Sequence, residues 1–328
     1  MSRPRSGRWL RILLAGWALV AVGGAQAFAQ VVPLGDAVEP AGNGRINWTT
    51  GWVFATGLGA PPAHAGPGQG RAMAERAAKT VAVRNLLEVV NGVRIDSATL
   101  VENFVVTNDV IKSQVNGFVR GAQVVKTEVQ PEGGVEVTVK VPLWGVGSLI
   151  SSFMDEKKVV PQELPPESAT EEGPTGLVID ARGLGLKPAC FPEITDDKGA
   201  LVYGPATIDR PTAEKDGMVQ YKTLPKGADL SAIFGEGTYV IRPVQMGAGP
   251  REGRRPLKIK GVDKAGALKA NLLISSDDAK RIREDPQLKS ALARSKVVVV
   301  TDPLIGGMEG RAPTPDGWLV AGFSAPVD

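Results

Sequence analysis

One histidine and one cysteine stand among 328 residues, and that bounds the available chemistry. A Ser–His or Cys–His nucleophile pair must use His64. This residue sits in Pro61-Pro62-Ala63-His64-Ala65-Gly66-Pro67-Gly68, a loop-like run with no scaffold to hold a base. No group of His and Cys can form a zinc or transition-metal site, and no internal disulfide can form. Cys190, in Lys187-Pro188-Ala189-Cys190-Phe191-Pro192, reads as a small buried residue. Gly57-Leu58-Gly59 and Gly183-Leu184-Gly185 open like dinucleotide loops, but the third glycine falls on Pro62 and Pro188, so both read as turn glycines. The remaining chemistry belongs to carboxylates and cations. Asp196-Asp197-Lys198-Gly199 reads as a hairpin turn and Asp277-Asp278 as a helix start. Asp180 and Arg182 directly follow a strong strand and are the expected contacts of any small ligand. The run Arg251, Arg254, Arg255, Lys258 and Lys260 reads as a solvated basic loop. Trp48 and Trp52, with Phe54, alternate along one expected strand. They are expected as core beneath a helix, or as a binding patch if that sheet face is open. No cofactor, metal site or catalytic residue is expected.

These residues need elements to position them. Hydrophobic residues at 43% and charged residues at 22% indicate a globular chain. Its length allows one to three domains. Gly 40 and Pro 25 predict many turns. Arg3, Arg5, Arg8 and Arg11 precede an apolar run from Ile12 to Val22 and the small-residue tract Ala25-Gln26-Ala27-Phe28-Ala29. That order is the pattern of a cleaved secretory signal over residues 1–29, with two overlapping A-x-A sites that allow cleavage after Ala29 or after Ala27. The formal charge of +3 rests on this segment: without its four arginines, 34 basic residues face 35 acidic ones, for −1. The basic balance is therefore no argument for nucleic-acid binding. The only cysteine is far from the expected cleavage point, so no lipid anchor is expected there, and no later segment reads as a transmembrane span.

Residues 46–55 alternate as one strand, closed by a turn-rich stretch from Gly57 to Pro62. Residues 71–90 lack Gly and Pro and predict a helix stopped by Asn91-Gly92. Its expected apolar face takes in Met73, Ala77, Val81, Leu86, Leu87 and Val90, and its many alanines predict close packing on a sheet. Residues 97–112 read as a shorter helix or irregular structure. Gly117 to Val129 and the alternating Val135, Val137, Val139 and Val141 predict a hairpin turning at Pro131-Glu132-Gly133-Gly134. Residues 151–175, rich in Pro and Glu, read as a linker. Beyond it, short apolar runs at 177–180, 200–203, 218–221, 239–242, 256–262, 272–274 and 297–300 predict strands. Helices are expected from a Ser276 cap to Arg283 and from Gln287 to Ala293.

Thr56-Gly57-Leu58-Gly59-Ala60-Pro61-Pro62, Ala74-Glu75-Arg76-Ala77-Ala78, Arg84-Asn85-Leu86-Leu87-Glu88, Gly117-Phe118-Val119-Arg120-Gly121-Ala122 and the valine hairpin form an ordered series. The series resembles the Lpp-twenty family of bacterial envelope proteins and is similar to the N-terminal domain of flagellar assembly protein T, over residues 45–145. That resemblance implies an exported, non-enzymatic cell-envelope protein. The acylated cysteine of the lipoprotein members is absent here. The expected fold is α+β: a small antiparallel sheet with one long helix over 44–150, then a β-rich α+β domain over 176–328. The expected function is binding or assembly in the periplasm or loosely at the outer membrane, with envelope proteins or peptidoglycan as partners and no nucleic acid. A small-ligand-binding protein and a carboxylate-based cell-wall hydrolase are the alternatives.

Overall fold

Val53, Ala55, Gly57 and Gly59 point to one side of a strand, and Trp52, Phe54, Thr56 and Leu58 to the other. Only the first set is buried, and this alternation sets the architecture of the N-terminal half. A computed structural model describes residues 34–164, 174, 176–228, 230, 256–260, 263–265 and 268–304, with the backbone alone for 256–260 and 263–265. The expected signal segment with its cleavage point at Ala29, the expected strand at 239–242, and Arg251, Arg254 and Arg255 lie outside these residues.

The fold is α+β. β1 (Gly35–Asp36) leads into a five-stranded antiparallel sheet. It comprises β2 (Val38–Ala41), β3 (Gly44–Asn47), β4 (Trp52–Gly59), β5 (Gln123–Val129) and β6 (Val135–Pro142), in the order β2-β3-β4-β6-β5. The single strand expected at 46–55 is instead a hairpin. The chain reverses at residues 48–51, where Gly51 takes φ +71° against the Trp144 ring, and β4 pairs back on β3. β4 also runs on through Gly57 and Gly59, so these are strand glycines rather than turn glycines.

α1 (Pro67–Asn91) lies on the inner face of this sheet. Its buried stripe is Gly70, Ala74, Ala78, Ala82, Leu86 and Val89, one turn apart along the helix. The expected face holds at Leu86 and Val90, which are buried, but is displaced by one residue in the first half of the helix, where Met73 and Ala77 are exposed. The shift has a physical cause. A Cβ on Gly57 would lie 2.8 Å from the Ala82 Cα, and one on Gly59 would lie 2.6 Å from the Ala78 nitrogen. Glycine in the strand and alanine in the helix let two backbones approach where larger residues would hold them apart. Asn85 tightens the seam by donating to the Thr56 carbonyl at 2.7 Å.

Residues 97–112 hold two helices rather than one. α2 (Val101–Thr107) ends at Asn108, whose side chain accepts from Val110 and Ile111 N–H and starts α3 (Asp109–Arg120). Gly117 to Arg120, expected as strand, close α3, and β5 starts at Gln123. The hairpin from β5 to β6 turns at Gly133, φ +81°, as expected. The first part of the expected linker is packed: Phe153, Met154 and Val159 are buried. Lys157 pairs with Asp96, and Asp155 with Arg210 at 2.5 Å.

The C-terminal half carries two sheets. The larger has the order β1-β10-β14-β7-β11, with β7 (Gly176–Asp180), β10 (Gln220–Thr223), β11 (Pro256–Lys260) and β14 (Val297–Thr301) parallel to one another. Leu177, Ile179, Val297 and Val299 pack on one face. Val178, Val298, Val300 and Leu224 pack on the other, against Leu34, Ala228 and Leu230. Burial of both faces explains the unbroken valine run. The second sheet, β12-β13-β8-β9, joins β8 (Ile194–Asp196), β9 (Leu201–Tyr203), β12 (Asp263–Ala265) and β13 (Asn271–Ile274). Three helices complete the described part: α4 (Arg210–Asp216), α5 (Ser276–Glu284) and α6 (Pro286–Ala293). α5 is capped by Ser275, one residue earlier than expected.

The two halves share one hydrophobic core. β1 pairs antiparallel with β10 of the C-terminal sheet, although it precedes the N-terminal sheet in sequence. Cys190 and Phe191 N–H groups donate to the Arg94 and Ile95 carbonyls at 2.9 and 2.7 Å. Thr49 donates to the Tyr221 carbonyl at 2.6 Å. Among the described residues no helix is long and apolar enough to cross a membrane.

Candidate functional site

Asp180 ends β7, where parallel sheets commonly place ligands beyond the carboxyl ends of their strands. Arg182 turns back on it: Nε donates to Asp180 Oδ1 and one terminal nitrogen to Oδ2, both at 2.8 Å. The other terminal nitrogen donates to the Pro225 and Ala228 carbonyls at 3.1 and 2.8 Å. The neighbouring Gly183, φ +81°, donates its N–H to Asp302 at 2.7 Å, tying the end of β7 to the segment after β14. Asp180 and Arg182 are thus brought together, as a fork-to-fork clamp that ties the end of β7 to the loop after β10. A ligand at this point must compete with a bidentate ion pair and two carbonyl bonds.

Trp48 and Trp52 do not share a face. Trp48 lies in the reversal before β4 and is wholly buried between the halves. Its Nε1 donates to Glu39 at 2.9 Å, and its ring meets Tyr221 edge-on at 6.1 Å. Arg94 sits over that ring, pairs with Glu39 and donates to the Pro188 carbonyl at 2.6 Å. Trp52 and Phe54 are on the outward face of the sheet and are half-buried. The expected core beneath the helix is Val53, Ala55 and the two glycines instead. Each outward ring is covered by a cation: Lys140 lies 3.8 Å from the Trp52 centroid, and Arg45 lies 4.4 Å from that of Phe54. A stacking ligand would first have to displace these side chains.

The other polar residues singled out in the sequence serve local structure. Asp196 accepts from Lys198 and Ala200 N–H and from Arg283 at 2.9 Å. The Ala200 N–H first, and Arg283 with it, hold its carboxyl below the usual carboxylate range. Asp197 accepts from Ser276, and Asp278 takes part in the Ser275 cap. His64 lies exposed in the loop before α1. Cys190 is buried, and burial pushes its thiol up to about 12. Among the described residues no group of three His, Cys, Asp or Glu is placed to hold a metal ion.

The feature that stands open is an edge. β5 borders the N-terminal sheet, and all seven of its residues are exposed. Val124, Val125 and Val129 are each about half exposed, at 45%, 45% and 51%. The opposite border, β2, is four residues long and contains Pro40, which has no N–H to offer. One border of the sheet is therefore blunted, and the other presents a longer backbone ladder flanked by valines. The residues pair β5 with β6 but give no sign that its second side lacks a strand neighbour among the described residues. Strand order decides that, and strand order is not local.

No curated protein matches the chain. The family model described as the second domain of Treponema pallidum Tp0624 matches residues 176–303, the span from the first residue of β7 to just beyond β14. The C-terminal, parallel-sheet part of this chain is similar to that domain.

Proposed function

We propose that this protein is an exported, non-enzymatic component of the bacterial cell envelope with a binding or assembly role, docking through β5 by strand addition. The observation that carries the reading is the contrast between the two borders of one sheet: β2 short and proline-bearing, β5 longer and exposed at every position. The signal-like N-terminus and the Lpp-twenty-like series over residues 45–145 support the envelope assignment. The engagement of Asp180, Asp196 and Asp278 in clamps, turns and caps weighs against the alternative of a carboxylate-based hydrolase. Strand addition draws affinity from backbone hydrogen bonds, which suits an edge with few specific side chains.

The test is site-specific photo-crosslinking in the native host, with the reactive residue at Thr127 on β5 and, as control, at Lys79 on the exposed side of α1. The expected result is recovery of a processed protein in the envelope fraction, with a defined envelope protein or a second copy captured from 127 and not from 79. A cytoplasmic, unprocessed protein, or one that captures nothing at 127, refutes the reading.

A further inference from the structure

We infer that β5 pairs antiparallel with β5 of a second copy of this chain, in one register, centred on Thr127. The inference rests on the docking role proposed for this edge and names the partner. In an antiparallel pair, opposing residues both turn their N–H and C=O toward each other or both away. Two copies of one strand can therefore pair only about a residue, not about a peptide bond. The sequence Gln123-Val124-Val125-Lys126-Thr127-Glu128-Val129 leaves few centres. Centring on Lys126 sets two lysines opposite each other, and centring on Glu128 sets two glutamates opposite each other, each a direct like-charge contact. Val125 sits where the ladder to β6 slips between Val124 and Lys126, and such a bulge disturbs pairing at that point.

Centring on Thr127 removes the like-charge contacts and moves the bulge from the centre to the ends of the pairing. Lys126 then opposes Glu128 of the other copy, and Glu128 opposes Lys126. Thr127 meets Thr127, a favourable cross-strand pair. Val129 falls opposite the bulged Val125 of the other copy, at the ends of the paired stretch, so the regular pairs that set the register are those of Lys126, Thr127 and Glu128. Lys126 and Glu128 already lie on one face of β5, the face of Thr138 and Glu136, and pair at 2.8 Å within the chain. The second copy would extend them into a ring of four alternating charges on one side of a continuous ten-stranded sheet. The contact is isologous and closes as a two-fold dimer, so it satisfies the edge without propagating.

Sedimentation equilibrium of the purified mature-length protein tests this, with K126E, E128K and the double swap. Each single reversal turns two attractive cross-strand pairs per dimer into repulsive ones and weakens association about tenfold. The double swap restores it to near the wild-type constant, but it also restores the Lys126–Glu128 pair within the chain. The discriminating case is an equimolar mixture of K126E and E128K, whose mixed dimer opposes only unlike charges and should associate more tightly than either single variant alone. A Thr127→Cys variant gives a disulfide-linked dimer on mild oxidation, because residues opposed across a strand pair fall within bridging distance. Buried Cys190 does not compete. A monomeric wild type, single reversals that leave association unchanged, or a T127C chain that does not cross-link overturns the self-pairing. If it fails while residue 127 still captures a defined envelope protein in cells, the edge docks a different strand and the wider reading stands. If both fail, both fall.

Discussion

Replacing Gly57 by alanine adds one methyl group in the close seam between β4 and α1. The new Cβ would stand 2.8 Å from the Ala82 Cα, with the Ala78 carbonyl oxygen and Ala82 nitrogen nearer still, whereas ordinary contact begins at 3.4 Å. All of these atoms are helix backbone, so no rotamer change relieves the overlap. α1 must move outward by about 0.5–1 Å, a gap that forfeits a quarter to a half of each dispersion contact along the seam. Overpacking of this kind costs about 1–3 kcal/mol, and a backbone-on-backbone clash belongs at the upper end. Alanine returns about 0.5–1 kcal/mol through its lower conformational entropy in the unfolded chain. A net loss of about 2 kcal/mol is expected. In urea unfolding at a slope of about 2–3 kcal/mol/M, the midpoint falls by roughly 0.7–1 M with the slope unchanged. Gly117→Ala is the counter-experiment. It lies in α3 with open space where its Cβ would go, so it should stabilise by about 0.5–1 kcal/mol. If both substitutions move the midpoint upward, the close approach of α1 to β4 is wrong.

Three other outcomes follow from the junction and its carboxylates. Arg94→Ala strands Glu39 between the halves and removes the cation over Trp48, so it should cost about 3 kcal/mol in thermal or urea unfolding. Arg94→Lys should recover little, since one ammonium cannot serve both Glu39 and the Pro188 carbonyl; full recovery would show that charge alone matters. Cys190, its thiol pushed up to about 12 by burial, should resist iodoacetamide at pH near 8 in the native protein and react in urea. Rapid stoichiometric labelling of native protein would contradict that burial. Asp96 and Asp196 are both held below the usual carboxylate range. For Asp96, burial pulls upward, but the Lys157 ammonium and the Ala98 N–H outweigh it. For Asp196, the Ala200 N–H leads. Each group binds fewer protons folded than unfolded, so its stabilisation is complete above the unfolded pKa and is lost as pH falls through the lower folded value. The urea midpoint should drop as pH falls below about 4, the ordinary carboxylate value, less steeply in D196N. Equal slopes in the two proteins would remove Asp196 from the account.

Periodicity carried most of the local structure. The alternating valines from 135 to 141 form β6, the glycine- and proline-free run forms the body of α1, and the buried valine run forms β14. The failures lie where one signal was read without its partner. Residues 46–55 alternate without a break, and only the geometry of Gly51 under Trp144 shows that the alternation crosses a chain reversal. Gly57 and Gly59 resemble turn residues until Ala74, Ala78 and Ala82 are set opposite them: the alanine spacing of four was present in the sequence and pointed to that stripe. α4 also left a trace, an Asp209 cap two residues ahead of Pro211, in a segment with too little apolar period to be noticed.

The open edge belongs to a different order of information. Lys126 and Glu128 are an unremarkable charged pair in a strand, and two residues apart they share a face in any register. Their meaning depends on β5 having no second strand neighbour among the described residues, and that follows from the sheet order β2-β3-β4-β6-β5, set by which strands the long α1 and the α2–α3 pair carry the chain between. An edge strand with unpaired ladder groups is a hazard unless it is blunted or occupied. On β2 the blunting is visible in Pro40 and in its short length. On β5 the charges do not face one another within the strand so as to repel any incoming chain. They alternate in sign, which penalises the registers centred on either charge and favours the one between them. Such an arrangement disfavours the registers that oppose like charges, and that is the pattern the proposed docking edge calls for.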